Sequence, residues 1–382
     1  MEFLPFFLIL LATVLFSNAF QRFHLPWVLA LIVSGMVVGP HGLHLVTLNP
    51  TIEFMGSIGL IFLMFMAGLE TELSSFREFG KGIFLIAFTN GIFPALVGVG
   101  VGMFFGYPLI ASLLLGIIFM SSSVAVIIPA LEENGLIKKR LGKSIVASAI
   151  IVDVLSLVLL SVLLQNVQPI TTMPLPSFYV IVAIVLVAFG YALPKIRNML
   201  CKRLKENDLF ESEVRIIFLM LMGTVITFSL LGLNPIIAGF FSGLILSDTV
   251  KSERLIEKLR TISYGIFIPV FFVIVGLNTN LNVLFDSQSA LFLAFVVIFG
   301  SMASKYISGT FGARLAGFDK QSSRIVGIAT VPQLSTTLAV VYTAAELGIL
   351  DDKLVVSMVA LSIFSTIVAP FALRRVKVGI FT

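Results

Sequence analysis

The chain alternates long apolar stretches with short polar connectors, and no polar stretch is long enough to fold separately. About 20 apolar residues in a helix span the hydrocarbon core of a bilayer. The pattern therefore predicts an all-α polytopic membrane protein with thirteen transmembrane helices, numbered here as helices 1 to 13. These helices are predicted at residues 3–20, 25–39, 52–70, 81–106, 109–131, 144–166, 177–200, 211–232, 234–247, 260–278, 288–312, 322–347 and 352–373.

The composition agrees with this interpretation, because 58% of the 382 residues are hydrophobic and only 12% are charged. Basic residues then give the orientation, since cytoplasmic connectors of membrane proteins carry an excess of Lys and Arg. Of the 25 Lys and Arg residues, all except Lys305 and Lys353 fall in connectors or a tail that thirteen spans place on one side. We therefore expect an outside N-terminus and a cytoplasmic C-terminus in the cell's plasma (inner) membrane. The net charge is +5, and the basic residues that produce it lie at the predicted membrane boundaries. Nucleic acid is therefore not an expected partner.

Two charged residues lie deep inside apolar stretches, Asp153 in helix 6 and Lys305 in helix 11. A charge at bilayer depth costs at least about 2.5 kcal/mol, and such residues usually mark an ion or proton pathway. Asp153 and Lys305 are therefore the first candidates for the functional site.

The two halves of the chain share a weak internal repeat. Residues 68–73, with the sequence GLETEL, match residues 276–281, GLNTNL, at an offset of 208, and Gly35 matches Gly243 at the same offset. Residues 121–126 match residues 335–340 at an offset of 214. Each helix of the first copy corresponds to the helix seven places later, and an odd number of membrane crossings inverts the second copy. Inverted repeats of this kind are typical of secondary transporters. Coincidence among glycine-rich helices is the alternative interpretation.

The repeat predicts one transporter unit over residues 1–382. It divides into a first repeat at 1–170, a linker helix at 171–207 and an inverted second repeat at 208–382.

Helix breaks are predicted at matching places in the two repeats. Helix 5 contains Ser121, Ser122 and Ser123 followed by Pro129, and helix 12 has the sequence VPQLSTT at 331–337. Proline removes a backbone donor, and hydroxyl side chains bond to backbone groups. We expect helix 5 to break near its serines and Pro129, and helix 12 to break near Pro332, Gln333, Ser335 and Thr336. The alternative for each helix is a simple proline kink. Two crossed, discontinuous helices would bring helix ends to the membrane midplane, where they attract Asp153 and Lys305.

Several motifs together resemble the monovalent cation:proton antiporter superfamily, in particular the bacterial sodium/proton antiporter and potassium-efflux group. The motifs are LPWVLALIVSGMVVGP at 25–40, FMAGLETEL at 65–73, FMSSSVAVIIPALEENGL at 119–136, SAIIVDVLSLVL at 148–159 and VFFVIVGLNTNL at 270–281, together with Lys305. The resemblance implies a homodimer in which a core domain with the crossed helices moves against a scaffold domain. It also implies that Asp153 exchanges a cation for protons. The chain as given ends at Thr382, so the nucleotide-binding domain of the glutathione-gated potassium-efflux branch is not expected.

The residue before the ion-binding aspartate departs from the family pattern. Relatives often have Asp, Asn or Gln there, and where it is Asp it pairs with the lysine that corresponds to Lys305. This chain has Val152. A one-for-one, electroneutral exchange is therefore the simpler expectation. Lys305 then either compensates charge or couples to a proton.

The function expected from these features is secondary active exchange of Na⁺, or another monovalent cation, for H⁺ rather than enzymatic catalysis. Asp153 would bind the Na⁺ together with oxygens near Ser122 and Ser123. No cofactor is expected, and the expected partners are the transported ions and the lipid bilayer. Two alternatives stay open at this point: K⁺/H⁺ exchange and Na⁺-coupled symport of organic anions of the bile-acid type.

Overall fold

In the computed structural model, residues 3–22, 26–71, 80–167, 175–201, 211–247, 249–250, 252–285 and 287–375 are described. Every regular element in them is helical. The helices are α1 (Phe3–Arg22), α2 (Trp27–Val38), α3 (Pro50–Leu69), α4 (Lys81–Phe104), α5 (Leu109–Met120), α6 (Val124–Glu133), α7 (Arg140–Val167), α8 (Leu175–Cys201), α9 (Ser212–Leu230), α10 (Pro235–Ser247), α11 (Glu253–Ile262), α12 (Ile268–Leu277), α13 (Asn282–Phe285), α14 (Gln288–Leu315), α15 (Lys320–Ala329), α16 (Ser335–Glu346) and α17 (Asp352–Arg375). A π-helical turn, Ser263–Phe267, joins α11 to α12.

Membrane-spanning candidates dominate this set. Nine stretches of the described residues are helical, long and apolar enough to cross a bilayer, and α2, α5 and α10 are shorter apolar helices. Large apolar side chains are exposed along α1, α4, α8 and α14, whereas buried polar side chains concentrate around the ends of α5 and α15 and on the helices that cover them. This inside-out distribution fits helices surrounded by lipid, in which polar groups turn toward the protein interior.

The chain forms two compact units. The first comprises Met1–Asn49, Glu78–Leu160 and Phe272–Thr382. In it α4 packs against α5 and α14, and α14 packs in turn against α15 and α17. The second comprises Pro50–Arg77 and Ser161–Phe271. It is centred on α10, which packs against α3, α8 and α9. Asp153 and Lys305 both belong to the first unit.

The structure differs from the sequence prediction at Pro129. This proline lies inside α6, which continues to Glu133, so the helix breaks only at the serines before it. Inside a helix, proline removes one hydrogen bond. At the serines, by contrast, the backbone finds partners outside its own helix, since Ser123 N–H donates to the carbonyl of Pro332 (2.7 Å).

In the second broken helix, Pro332 and Gln333 lie in the non-helical segment, residues 331–334. Ser335 and Thr336 are the first two residues of α16. They therefore follow the break and are not part of it.

Candidate functional site

The site is built on two helices that are interrupted halfway. α5 ends at Met120 and α6 begins at Val124, with Ser121 and Ser123 in extended conformations between them. α15 ends at Ala329 and α16 begins at Ser335. Each interruption exposes the carbonyl end of one helix and the N–H end of the next, which carry partial negative and partial positive charge.

The two interruptions bond to each other. Besides the bond from Ser123 N–H to Pro332, the hydroxyl oxygens of Ser121 and Thr337 lie 2.8 Å apart. Ser122 Oγ donates to the carbonyl of Thr330 (3.1 Å). The unwound backbone is thus buried in protein, the condition under which non-helical backbone is tolerated at membrane depth.

Gln333 links the interruptions to the helices around them. Its Nε2 donates to the carbonyl of Phe119 (2.8 Å), which lies near the end of α5. Its backbone N–H donates to Ser365 Oγ (3.1 Å), and its Oε1 accepts from Ser301 Oγ (3.3 Å). The side chain is fully buried, so these bonds replace those that water would otherwise make.

We expect replacement of Gln333 by leucine to destabilise the protein strongly. Leucine is of similar size but leaves the Phe119 carbonyl and the Ser301 hydroxyl without their partner. Each unsatisfied buried group costs about 1–3 kcal/mol, so the free energy of unfolding should fall by about 3 kcal/mol. Thermal unfolding in detergent measures this change, and Gln288→Leu, on the exposed first turn of α14, is the control. Equal midpoints for the two variants would contradict the prediction.

Asp153 lies on α7 and faces the N–H ends of the broken helices. Its Oδ1 accepts a hydrogen bond from Ser122 N–H (3.1 Å), just before α6. Its Oδ2 accepts from Thr336 Oγ1 (3.4 Å), at the start of α16. The residue is 8% exposed. The partial positive ends of two helices thus face one buried carboxyl group.

Ser123, the neighbour of the residue whose N–H binds this carboxyl group, adds a free hydroxyl. Its Oγ is buried and has no hydrogen-bond partner among the residues that the structure describes. The hydroxyl of Ser122, by contrast, is already bonded to Thr330. Of the two serines predicted near the ion, only Ser123 keeps a hydroxyl for a ligand, while Ser122 contributes its backbone N–H to Asp153.

Lys305 lies on α14 with no exposed surface, and it faces the carbonyl end of α5. Its Nζ donates to the carbonyl of Met120 (2.6 Å) and to Asn90 Oδ1 (2.8 Å), with a longer bond to the Asn90 carbonyl (3.3 Å). A cation is thus placed against a partial negative helix end.

Asp153 and Lys305 do not form a direct ion pair. Within the described parts of the chain, oppositely charged groups within 4 Å occur at Arg197–Glu213, Lys258–Glu211 and Arg260–Glu70. All three pairs belong to the second unit. The two charges of the site instead bind different backbone groups, Lys305 the carbonyl of Met120 and Asp153 the N–H of Ser122.

Val152, the residue that departs from the family pattern, is buried against Met120 and Ala87. The side chain also reaches toward Gly91, where an added Cβ would lie 3.7 Å from a Val152 methyl group. The side chain of Val152 therefore makes an apolar contact with Met120, the residue whose carbonyl binds Lys305. The sequence does not single out Asn90, which binds the Lys305 ammonium, because a carboxamide in an apolar helix usually indicates only a helix–helix hydrogen bond.

A buried carboxyl group among hydroxyl groups, helix N–H ends and unwound backbone has the chemistry of a site for a small cation or a proton. The comparisons with known proteins agree. The family described as "Sodium/hydrogen exchanger, transmembrane" matches residues 6–378, and the chain belongs to this family of membrane transporters.

Three relatives match over nearly their whole length. The chain is 30% identical to a probable Na⁺/H⁺ antiporter 3 of Methanocaldococcus jannaschii, over 98% of this chain and 96% of that protein. It is 27% identical to a Na⁺/H⁺ antiporter of Enterococcus hirae, over 96% of each. It is 29% identical to the Na⁺/H⁺-K⁺ antiporter GerN of Bacillus cereus, over 98% of this chain and 96% of that protein.

The fold also matches a solved structure. The sodium/proton antiporter MjNhaP1 of Methanocaldococcus jannaschii superposes with a TM-score of 0.69 over 96% of this chain and 94% of that one, at 18% sequence identity. Resemblance at this level of identity establishes a shared fold.

Proposed function

We propose that the protein exchanges Na⁺ for H⁺ by alternating access, with Asp153 as the group at which the two ions compete. The observation that carries the proposal is the position of the Asp153 carboxyl group, buried against the N–H ends of both broken helices. Oxygen ligands suit a hard cation. We assign to it the Asp153 carboxylate and the free hydroxyl of Ser123, which adjoins the residue that binds the carboxylate.

Competition at one carboxylate couples the two ions without a further device. With Na⁺ or H⁺ bound, Asp153 is neutral and the loaded site crosses the barrier. A bare carboxylate in the low-dielectric interior is expensive to move. Because the empty site does not cross, each Na⁺ that moves one way is exchanged for an H⁺ that moves the other way.

The exchange is proposed to be one-for-one and electroneutral. Asp153 is the one carboxyl group of the predicted pathway, since this chain has Val152 where relatives often carry a second polar residue. Lys305 is bonded to uncharged oxygens, so it acts as a fixed compensating charge at the end of α5. The Na⁺-loaded and H⁺-loaded sites then carry the same charge.

Thirteen spans are proposed, with α5–α6, α11–α12 and α15–α16 each counted as one. With that count, the Lys and Arg residues in connectors put the N-terminus outside and the C-terminus in the cytoplasm. We place the protein in the plasma membrane as a homodimer, as the family resemblance implies.

Helix contacts support the proposed inverted repeats, 1–170 and 208–382 around a linker at 171–207. A Cβ added at Gly35 would overlap the carbonyl of Val273, and one added at Gly276 would overlap that of Ile32. At the positions related by the offset of 208, a Cβ at Gly243 would overlap the carbonyl of Phe65, and one at Gly68 would overlap that of Phe240. Both contacts require glycine in the same way, as two copies of one helix pairing would.

Transport assays on purified protein in liposomes test the proposed function. A pH gradient should drive uptake of ²²Na⁺, and it should do so without added organic anions. The B. cereus relative carries K⁺ in its name, so Li⁺ and K⁺ belong in the same assay as competitors. Uptake of taurocholate driven by a Na⁺ gradient, with no ²²Na⁺ uptake driven by pH, would establish the bile-acid type of symport instead.

A further inference from the structure

Asn90 occupies the centre of the contact between α4 and α14. It is 2% exposed, and its carboxamide is fully bonded. The two N–H donors of Nδ2 face three acceptors, the backbone carbonyl of Lys305 (2.9 Å), Ser308 Oγ (3.1 Å) and Thr330 Oγ1 (3.2 Å). Oδ1 accepts from Lys305 Nζ (2.8 Å). Asn90 therefore binds both ends of the same lysine residue.

The surroundings are shaped to hold this carboxamide. Gly309 lies on the facing side of α14, and a Cβ added there would lie 2.6 Å from Thr330 Oγ1 and 3.0 Å from Asn90 Nδ2. Any larger residue at 309 would displace the carboxamide or the threonine. The absence of a side chain at 309 thus leaves the space in which the carboxamide and Thr330 bond.

The ammonium group of Lys305 is saturated by uncharged acceptors. It has three N–H donors, and it meets three oxygens, two of them from Asn90 and one from Met120. Its positive charge is therefore bonded but not neutralised. A lysine that loses such an acceptor turns toward the nearest anion, because a buried unpaired charge is expensive.

The anion that acts electrostatically on Lys305 is Asp153. Lys305 is bonded to the carbonyl of Met120, and Asp153 to the N–H of Ser122. These backbone positions are two residues apart, and two residues of extended chain span about 7 Å. The long, flexible lysine side chain can cover such a distance.

We propose that Asn90 is a positioning residue for ion exchange, which holds the Lys305 ammonium at the end of α5 and so keeps it from pairing with Asp153. The inference rests on the proposed function of Asp153 as the exchange site. In this chain a neutral carboxamide on α4 takes the place that an acidic residue before the aspartate takes in relatives. Asp153 stays free for Na⁺ and H⁺ because Lys305 is held elsewhere.

Two substitutions of Asn90 should change Na⁺ binding in opposite directions. In Asn90→Ala, the freed ammonium competes with Na⁺ for Asp153. The apparent KM for Na⁺ should rise about tenfold, the effect of one lost hydrogen bond to a charged group. The maximal rate should stay within about twofold of the wild-type rate. In Asn90→Asp, a carboxylate holds and neutralises Lys305, so the KM for Na⁺ falls about threefold because the repulsion of Na⁺ weakens. ²²Na⁺ exchange in proteoliposomes at fixed pH measures both constants.

The double variants separate positioning from a purely structural role. In a Lys305→Gln background no ammonium competes, so adding Asn90→Ala should leave KM unchanged. Thr89→Val removes a hydroxyl that contacts the backbone of Ser308 at the same helix contact but not Lys305, and its KM should equal that of the wild type. An equal rise in KM from Asn90→Ala in both backgrounds would overturn the inference.

If Lys305→Gln does not fold, Asn90→Asp alone decides the question. A rise in its KM, as in Asn90→Ala, would overturn the positioning role, and a fall would support it. Failure of this inference is distinguishable from failure of the proposed function. Full exchange by an Asp153→Asn variant would refute the exchange site, whereas additive effects at 90 and 305 would refute only the role of Asn90.

Discussion

Replacement of Asp153 by asparagine is expected to abolish Na⁺/H⁺ exchange. Asparagine keeps the shape of the side chain, and its Oδ1 can still accept the hydrogen bond from Ser122 N–H, so the fold should persist. It carries neither a charge to bind Na⁺ nor a group to release H⁺. Loss of a charged partner costs about 3 kcal/mol, so pH-driven ²²Na⁺ uptake should fall about a hundredfold or more.

The matched control for this variant is Asp352→Asn, an exposed aspartate at the start of α17. It changes the same atoms outside the site, and its uptake should equal that of the wild type. Both variants should elute as single, folded species in size-exclusion chromatography. Full pH-driven exchange by a folded Asp153→Asn variant would show that the ions bind elsewhere.

Replacement of Val152 by aspartate is expected to make the exchange sensitive to membrane potential. The new carboxyl group would lie against Met120, whose carbonyl binds Lys305, and would give the site a second group that carries a proton. A cycle that moves one net charge gains about 2.3 kcal/mol from 100 mV. For Val152→Asp, the ratio of Na⁺ concentrations across the membrane at which net exchange stops should therefore change about fiftyfold per 100 mV. For the wild type, this ratio should not depend on the membrane potential.

Val152→Asn provides the control for this experiment, since it is polar and of the same size but does not titrate. Its stopping gradient should be independent of potential, like that of the wild type. A wild-type gradient that already shifts with potential would refute electroneutral exchange. A Val152→Asp gradient that does not shift would show that a second carboxyl group at 152 takes no part in the cycle.

Local sequence signals predict where the helices are interrupted, because the causes are local. Pro332 lacks an N–H group, and three consecutive serines offer alternative bonds, so both interruptions fall close to the predicted places. The same reasoning was wrong at Pro129. Whether a proline breaks a helix depends on partners from elsewhere in the fold, and here Pro332, more than 200 residues away in the chain, binds the backbone at the serines instead.

Contacts distant in sequence explain what could not be predicted. Asp153 and Lys305 stand out because a charge in an apolar stretch is conspicuous on its own. The partner of Lys305 is Asn90, 215 residues away, and no local pattern connects the two. In the structure the same Asn90 side chain bonds to the backbone of α14 and holds the buried ammonium. The difference between the two serines likewise depends on a distant contact. Thr330, in the other half of the chain, binds the hydroxyl of Ser122, while that of Ser123 is free.

The central claim, that Na⁺ and H⁺ compete for one carboxyl group, has a direct kinetic test. ²²Na⁺ exchange against unlabelled Na⁺ is measured in proteoliposomes with equal pH on both sides, over a range of Na⁺ concentrations and pH values. Competition predicts that the apparent KM for Na⁺ rises as the pH falls, while the maximal rate stays constant. The rise should approach about tenfold per pH unit, because each unit is a tenfold change in the concentration of the competing proton. A maximal rate that falls with pH at constant KM would contradict the account, because protons would then act at a site separate from that of Na⁺.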